Sequence, residues 1–313
     1  MDDRTEAESQ ADREYRRTHG SSFGTAAAAY AEHRPGYAEA AIRWALEPVG
    51  TRKALRVLDL AAGTGKLTAA LVRLGAEVTA VEPDPAMLAE FRRNPMFSPK
   101  PALIFSPRPT QIFSPRPTQI FSPKPTDIFS PKPTLGSVKA LAGRAEEIPL
   151  PDASVDAVLV GQAMHWFDLD RAIPEIARVL TPDGVFAALW NVDDDRIGWV
   201  ATLAEISKGK SNVTLLRWRD RVGQARQERL ATAGSGLFET PEIGEFEHGQ
   251  QRTADSLLAT IATHSNFLVL AEPDRSRLLA QVRDYLHTRP ETASGEFVLP
   301  MVTAVLRATR TPR

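Results

Sequence analysis

The chain has no cysteine among its 313 residues, so disulfides, thiolate metal ligands and thiol nucleophiles are excluded. Its net charge of -1 gives no electrostatic reason to expect a nucleic-acid partner. No apolar run approaches the length of a membrane span. The start of the chain, MDDRTEAESQADREYRR, is too charged for a secretory signal. We therefore expect a cytoplasmic protein with no membrane partner.

Metal-ligand patterns are also missing. The six histidines are scattered, and none has a second histidine or a carboxylate at a spacing typical of metal sites. The acidic run Asp193 to Asp195 is interpreted as a solvated turn. The sequence therefore predicts no metal site.

Short apolar runs alternate with amphipathic stretches, and the 42% apolar content can fill a core. Strands are predicted at Ala54–Leu60, Val78–Val81, Val138–Ala142, Val155–Val160, Val185–Leu189, Glu245–Gln251 and Phe297–Ala308. Helices are predicted at Tyr37–Leu46, Lys66–Leu74, Pro85–Arg93 (with Asp84 as N-cap), Leu169–Leu180, Trp199–Ser207, Leu215–Leu230, Ser256–Ala262 and Pro273–Leu286. This order predicts a doubly wound, mostly parallel α/β sheet that an antiparallel C-terminal strand pair completes.

A proline-rich tandem repeat interrupts the pattern from Met96 to Leu135, with five octads of the type IFSPRPTQ. Two prolines in each octad exclude helix and central strand. We expect a flexible N-terminus over 1–20, one domain made of 21–95 and 136–313, and an insertion at 96–135. Because the insertion joins a helix to the start of the next strand, we expect it at the edge of the sheet away from the ligand site.

Two interpretations of this insertion stay open. It could be a duplication that a surface loop tolerates. Alternatively, its five basic residues against the single Asp127 could contact a partner, such as DNA, an acidic surface or a domain that binds polyproline.

The most informative motif is VLDLAAGTG, from Val57 to Gly65. It predicts a strand that ends in a turn of small residues before a helix. Small residues let the backbone approach a ligand, and a helix N-terminus offers free N–H groups. A P-loop would need glycine at position 60 and serine or threonine at 67, where leucines stand. A dinucleotide loop would have glycine in place of Thr68, and the carboxylate of Asp59 is unfavourable for a pyrophosphate.

Asp59 suits a ligand that carries an amino group. S-adenosylmethionine (SAM) has that group, a carboxylate, a cationic sulfonium, a ribose and an adenine, and it has no phosphate. Glu82, at the end of the second strand, can accept hydrogen bonds from both ribose hydroxyls, a role that NAD sites share. Together the turn and the two carboxylates favour SAM as the cofactor.

Here the chain resembles the class I SAM-dependent methyltransferases, and within them the bacterial group similar to trans-aconitate methyltransferase. The matching stretches are, in order, FGTAAAAYAEHRPGY, VLDLAAGTGKLT, VTAVEPDPAML, AGRAEEIPLPDASVDAVLVGQAMHWFD and RVLTPDGVFAALWN. The resemblance implies a Rossmann-like sheet of seven strands with added helices. It also implies methyl transfer from SAM to a small-molecule acceptor by in-line displacement.

The resemblance further implies a set of SAM contacts spread along the chain. These are Ala61, Gly63 and Gly65 at the methionine half, Glu82 at the ribose, Pro83, Met87, Ala145 and Glu146 around the adenine, Gln162 and Ala163 near the sulfonium, and Tyr30 and Arg34 closing over the cofactor. Arg34 would pair with the SAM carboxylate. Arg144 stands where many relatives have an acidic residue, so it receives no role.

The acceptor would lie beyond the fourth and fifth strands, lined by His165, Trp166, Trp190 and Asn191. A neutral imidazole at His165 suits a general base. The alternatives are that His165 and Trp166 form a polar-aromatic lid and that Trp190 is core packing. A non-catalytic SAM-binding scaffold that recruits partners through the octads is the rival to the enzyme hypothesis.

Overall fold

The computed structural model describes residues 27–50, 52, 54–97, 136–207, 218–219, 223–268 and 270–312. The predicted flexible segment 1–20 lies outside these residues. So does almost all of the octad repeat, of which only Met96 and Phe97 are described.

One sheet of seven strands organises the described chain, in the order β3-β2-β1-β4-β5-β7-β6. All neighbouring strands pair in parallel except β7, which is antiparallel to β5 and to β6. The strands are β1 (Arg56–Leu60), β2 (Glu77–Glu82), β3 (Val138–Ala142), β4 (Val155–Gly161), β5 (Leu180–Asp193), β6 (Glu242–Thr253) and β7 (Glu296–Thr309). The predicted doubly wound sheet with an antiparallel C-terminal pair is confirmed.

Helices cover both faces of the sheet, because nearly every residue of the central strands is apolar and buried. The α-helices are α1 (Ala27–His33), α2 (Glu39–Leu46), α3 (Lys66–Arg73), α4 (Pro85–Arg93), α5 (Leu169–Val179), α6 (Gly198–Ile206), α7 (Gly223–Ala233), α8 (Ala254–Ala262), α9 (Ser265–Leu268) and α10 (Glu272–Thr288). Helices α2 and α3 share one apolar core with the sheet. Helices α5 and α7 share the other core, on the opposite face.

A third apolar cluster joins α6, α8 and α10 to the first residues of β7. Asp193, the last residue of β5, pairs with Met301 of β7. The cluster therefore lies beyond the carboxyl end of β5, which is the side of a parallel sheet where ligands bind. No helix among the described residues is long and apolar enough to cross a bilayer.

Several strands and helices begin or end at residues other than those predicted. The strand predicted at Val185–Leu189 is extended to Leu180–Asp193 because pairing with β7 supports it as far as Asp193. The strand predicted at Glu245–Gln251 runs over Glu242–Thr253 for the same reason. Helix α1 was not predicted from the sequence. The helix predicted at Leu215–Leu230 is described from Gly223 as α7 and runs on to Ala233, whereas residues 215–217 and 220–222 of the prediction lie outside the described residues.

Ion pairs hold the amino ends of the central strands. Asp156, at the start of β4, accepts hydrogen bonds from the guanidinium groups of Arg52 and Arg56, at 2.6 and 2.8 Å. Burial alone would raise the pKa of this carboxyl, but the hydrogen bonds from the two arginines lower it to about 2. The edge opposite the ligand site is thus stabilised by fully paired charges.

Candidate functional site: a cleft at the carboxyl edge

The cleft begins where β1 and β4 lie side by side and the chain leaves them on opposite sides of the sheet. The residues that follow these strands both have left-handed backbone, with φ 58° at Ala61 and 57° at Gln162. This conformation is costly for residues that carry a Cβ and is found mainly at binding sites. Two strained turns therefore frame the topological switch point of the sheet.

The turn after β1 has the geometry that its small residues predict. Gly63 and Gly65 have φ of 57° and 88°, and helix α3 begins directly after Gly65. Glu82 supports the turn from the neighbouring strand. Its two oxygens accept from the backbone N–H groups of Gly63, at 2.8 Å, and Asp84, at 2.9 Å. A carboxylate has room for further donors, so Glu82 can accept from a bound diol as well.

Asp59, at the base of the turn, is almost fully buried on β1. Its Oδ2 accepts a hydrogen bond from the hydroxyl of Thr68, whereas its Oδ1 is buried without a hydrogen-bond partner. Burial raises the pKa of this carboxyl to about 7. An unsatisfied carboxylate oxygen beside a glycine turn fits a ligand that brings a cationic donor.

The segment that follows α1 is fixed across the mouth of the cleft. The guanidinium of Arg34 donates to the hydroxyl and to the carbonyl of Thr263, both at 3.0 Å, and stacks on the Tyr30 ring at 4.9 Å. The side chain of Asn191 donates to the carbonyl of Gly36 at 2.8 Å. Tyr30 of α1 and Arg34 after it therefore lie against each other and beside Thr263, and their role as a cover over the cofactor stays a prediction.

The predicted adenine residues lie beyond β2 and β3. Met87 and Ala145 are buried, whereas Pro83 is exposed. Glu146 accepts a hydrogen bond from the backbone N–H of Asp168 at 2.9 Å. The predicted N-cap of α4 is confirmed, since Asp84 Oδ1 accepts from the second and third residues of that helix. Its cap holds Met87 against the cleft floor.

The predicted acceptor residues separate into two groups. The side-chain amides of Asn191 and Gln162 form hydrogen bonds to other protein groups. Gln162 donates to the backbone carbonyl of Asn191 at 3.0 Å, and the side chain of Asn191 accepts from the hydroxyl of Thr303 at 2.7 Å. Ala163, next to Gln162, is buried in the core of the sheet. These residues fix the turn after β4 to β5 and β7.

His165 and Trp166 form the second group, together with Trp190. The rings of His165 and Trp166 lie 4.4 Å apart, and Trp190 is buried at the end of β5. Arg226 of α7 stacks over Trp190, with its guanidinium carbon 4.7 Å from the ring centre. Burial, Arg226 and Arg34 together lower the pKa of His165 to about 3. The imidazole is therefore neutral at physiological pH.

The prediction that Asp193 to Asp195 form a solvated turn is wrong for the first two. Asp193 ends β5, and burial raises its pKa to about 6. Asp194 is 5% exposed and forms an ion pair with Arg196 at 2.6 Å. Pairing with β7 carries the strand past the residues that look polar in sequence. No cluster of metal-ligating side chains occurs in the described ranges.

Three residues in the cleft were not singled out from the sequence. Arg226 lies in a helix that carries no recognisable motif. Asp193 was assigned to a solvated turn because of its charged neighbours. Tyr37 ends the conserved-looking block FGTAAAAYAEHRPGY, and a Cβ at Gly161 would collide with its phenol. Burial raises the pKa of Tyr37, and the charge of Asp59 adds to this effect. Only the block that contains Tyr37 offered a signal in advance.

The predicted position of the octads is wrong at their start. The ring of Phe97 stacks on Phe91, with centroids 4.4 Å apart, and packs against Gly65 of the turn after β1. The first residues of the repeat therefore lie at the ligand edge, beside the turn after β1. The remaining octad residues lie outside the described part of the chain, so neither interpretation of the repeat is tested.

Comparisons with known proteins agree with this geometry. Two family models, each described as a methyltransferase domain, match residues 57–100 and 122–188. An uncharacterized methyltransferase of Mycobacterium tuberculosis is 38% identical over 289 residues, which cover 92% of this chain and 95% of that protein. One of Schizosaccharomyces pombe is 29% identical over 60% of this chain and 59% of its own length.

A solved structure also has the same fold. It is described as a type II methyltransferase from Anaeromyxobacter dehalogenans and superposes with a TM-score of 0.51 at 23% identity, covering 90% of this chain and 99% of that one. Identity at that level supports a common fold and carries no information about the acceptor.

Proposed function

Because the chain belongs to the class I SAM-dependent methyltransferases, we propose that it binds SAM in the cleft after β1 and transfers the methyl group to a small-molecule acceptor. The observation that carries this proposal is the buried Oδ1 of Asp59, which has no partner beside the glycine turn. A buried acceptor of this kind is expensive unless a ligand completes it. The amino group of SAM is such a ligand.

The rest of the cleft fits the same cofactor. The carboxylate of Glu82 is oriented by Gly63 and Asp84 and retains lone pairs for two ribose hydroxyls. Arg34 would pair with the SAM carboxylate from the segment above the cleft. The carboxylate of Asp59 beside the turn also argues against a dinucleotide, because it would repel the pyrophosphate.

When bound, SAM supplies a methyl group on a cationic sulfonium. The leaving group is then already activated, so the protein's contribution is to position the acceptor in line and to exclude water. Tyr37, Gln162 and Ala163 would surround the reacting region at the end of β4. The cover of α1 and the segment after it would keep water out.

His165 is the proposed proton acceptor for the methylated atom. Since its pKa is lowered to about 3 by burial, Arg226 and Arg34, the ring is neutral and has a lone pair to offer. It is a weak base while Arg226 has no acidic partner among the described residues. A base is required only if the acceptor atom loses a proton during attack.

Calorimetric titration of the full chain with SAM, S-adenosylhomocysteine and NAD tests the cofactor. We expect both adenosyl ligands to bind and NAD not to bind. Glu82→Gln, which keeps one acceptor oxygen, should weaken both adenosyl ligands by about 10- to 100-fold. Glu77→Gln, at the exposed other end of the same strand, is the matched control and should change nothing. Tight NAD binding, or equal affinities for the two variants, would contradict the proposal.

A further inference from the structure

Thr303 places a fully buried hydroxyl in an otherwise apolar stretch of β7. Its Oγ1 accepts a hydrogen bond from the backbone N–H of Ala38 at 3.0 Å and donates to Oδ1 of Asn191 at 2.7 Å. Because the only hydroxyl proton is used on that amide oxygen, Nε2 of His248, 3.2 Å away, is the donor of the third bond. Every hydrogen-bonding position of this hydroxyl is occupied, which offsets the cost of burying it.

These bonds fix the two peptide groups on either side of Tyr37. Thr303 binds the N–H of Ala38, which belongs to the peptide group after Tyr37. The side-chain amide of Asn191 donates at 2.8 Å to the carbonyl of Gly36, which belongs to the peptide group before it. Thr303 also orients that amide, because its hydroxyl donates to the amide oxygen. The backbone of Tyr37 is therefore fixed on both sides by side chains of β5 and β7.

The phenol of Tyr37 lies against the end of β4. A Cβ added at Gly161 would collide with its hydroxyl and its ring, so the glycine makes room for the phenol. Gln162, the next residue, has the left-handed backbone found at the switch point of the sheet. Burial raises the pKa of Tyr37, and the nearby charge of Asp59 adds to the effect. The phenol is therefore close to both Asp59 and the end of β4.

The Tyr37 hydroxyl has no hydrogen-bond partner among the described residues, so its oxygen is open to a ligand. A methyl group on a cationic sulfonium carries partial positive charge on its hydrogens, which an oxygen lone pair attracts weakly. S-adenosylhomocysteine lacks both this methyl group and the charge. Because the raised pKa keeps the phenol protonated, its oxygen can contact the methyl group without acting as a phenolate nucleophile.

We propose that Tyr37 is a further catalytic residue whose hydroxyl contacts the methyl group of bound SAM, and that Thr303 is the positioning residue that holds it there through Asn191 and Ala38. This inference rests on the proposed function, because it concerns the same cleft with SAM bound. It involves the methyl group, whereas the proposed function depends on the amino group and the ribose. The two can therefore fail independently.

The test compares the Kd for SAM with the Kd for S-adenosylhomocysteine, both measured by calorimetry on the full chain. Tyr37→Phe removes only the hydroxyl and should raise the Kd for SAM by about 3- to 5-fold. It should change the Kd for S-adenosylhomocysteine by less than about 1.5-fold, since the methyl group is absent. Tyr285→Phe is the matched control, because that hydroxyl donates to the carbonyl of Trp199 in the third apolar cluster. It should leave the ratio of the two Kd values unchanged.

Thr303→Val tests the positioning role, since valine keeps the shape and removes the hydroxyl. We expect a lower melting temperature and a ratio of the two Kd values that shifts in the same direction as in Tyr37→Phe. Thr303→Ser, which keeps the hydroxyl, should restore the ratio. Added to Tyr37→Phe, Thr303→Val should change the ratio no further, because no hydroxyl is left to position. Asn191→Ala replaces Thr303→Val in this cycle if the valine variant does not fold.

Equal changes in both Kd values for Tyr37→Phe, or no change in either, would overturn the contact with the methyl group. A wild-type ratio in Thr303→Val, or a further change in the double variant, would overturn the positioning role, since Thr303 would then only stabilise the fold. Failure of both adenosyl ligands to bind the wild type would instead overturn the proposed function. The same titrations therefore separate the two proposals.

Discussion

The two halves of the cleft differ in how completely the protein satisfies its own polar groups. At the ends of β1 and β2, each oxygen of Glu82 accepts a hydrogen bond from one backbone N–H group, and one oxygen of Asp59 has no partner. Around Trp190, three neighbouring polar atoms are open in one place. A half that is nearly complete without ligand suits a cofactor common to a family. The incomplete half is the one that we propose to bind the acceptor, where members of a family differ.

The halves also have opposite charge. Asp59 and Glu82 make the cofactor half negative, which matches a ligand with an ammonium and a sulfonium. Arg226 and Arg34 make the acceptor half positive at His165, whose pKa they help to lower. The two halves would therefore attract groups of opposite charge. Complementary charge of this kind contributes more to orientation and specificity than to affinity.

The largest effect that would sharpen this contrast is expected for Asp59→Asn. The amide should still accept from Thr68, but its NH2 group would face the ammonium of SAM in place of an oxygen. We expect the Kd for SAM to rise by about 100-fold, from the loss of a charge-assisted hydrogen bond. Calorimetry measures this, and unchanged affinity would remove the main support for the SAM site.

The same variant should have the opposite effect on the stability of the ligand-free protein. The folded-state pKa of Asp59 is raised from 3.8 to about 7, so the folded chain holds the proton more tightly. Stability due to this group is present at low pH and is lost as pH rises through 7. Asp59→Asn should therefore melt above the wild type at pH 8. Asp156→Asn is the control and should melt below the wild type at pH 8, since the pKa of Asp156 is lowered to about 2.

The next effect in size is expected for His165→Asn in the acceptor half. The folded-state pKa of His165 is lowered from 6.5 to about 3, so the folded chain resists protonation. The wild type loses stability from this group as pH falls from 6.5 toward 3, whereas it is fully present above 6.5. Between pH 7 and pH 5 the wild type should therefore lose ~1–2 kcal/mol more of its unfolding free energy than the variant loses.

Denaturant unfolding at pH 5 and pH 7 measures that difference, and S-adenosylhomocysteine binding provides the control. His165→Asn should change the Kd of the adenosyl ligand less than threefold if the two halves are separate. A tenfold change in this Kd would show that the two halves are not separate and that His165 contributes to cofactor binding. Equal pH dependence in the variant and the wild type would show that His165 is not buried beside the two arginines.

The sequence predicted the cofactor half much better than the acceptor half, and the cause is the distance along the chain between partners. The turn from Ala61 to Gly65 is specified by its own small residues, and Glu82 follows within the next strand. In contrast, Arg34 is anchored by Thr263, 229 residues away in sequence. Arg226 reaches Trp190 from a helix with no motif. Contacts of that kind arise from tertiary packing, which residue spacing does not encode.

Boundaries failed for a related reason. The end residues of β5 and β6 are polar in sequence, but β7 pairs with β5 from Val185 to Asp193 and with β6 over its full length. Asp193 was therefore assigned to a solvated turn although it ends a buried strand. Local propensity is overridden wherever a distant strand supplies the hydrogen bonds. The cofactor half avoided this error because its strands are short, central and apolar on both faces.

The smallest effect concerns the boundary between the cofactor half and the octad repeat. Phe97 packs against Gly65, whose φ of 88° places it in a conformation that the turn requires. Removing the ring by Phe97→Ala should loosen the turn and raise the Kd for SAM by about 3- to 5-fold, less than 1 kcal/mol. Phe97→Leu, which keeps most of the apolar contact, should restore the affinity.

Met96→Ala, at the exposed neighbouring position, is the control for a general effect of changing the start of the repeat. Calorimetry with SAM and the melting temperature of each variant separate affinity from stability. If Phe97→Ala binds SAM like the wild type, the repeat is independent of the cofactor half from its first residue. If only Phe97→Ala weakens SAM, the first octad belongs to the wall of the site, and the insertion is tied to the turn that defines the cofactor half.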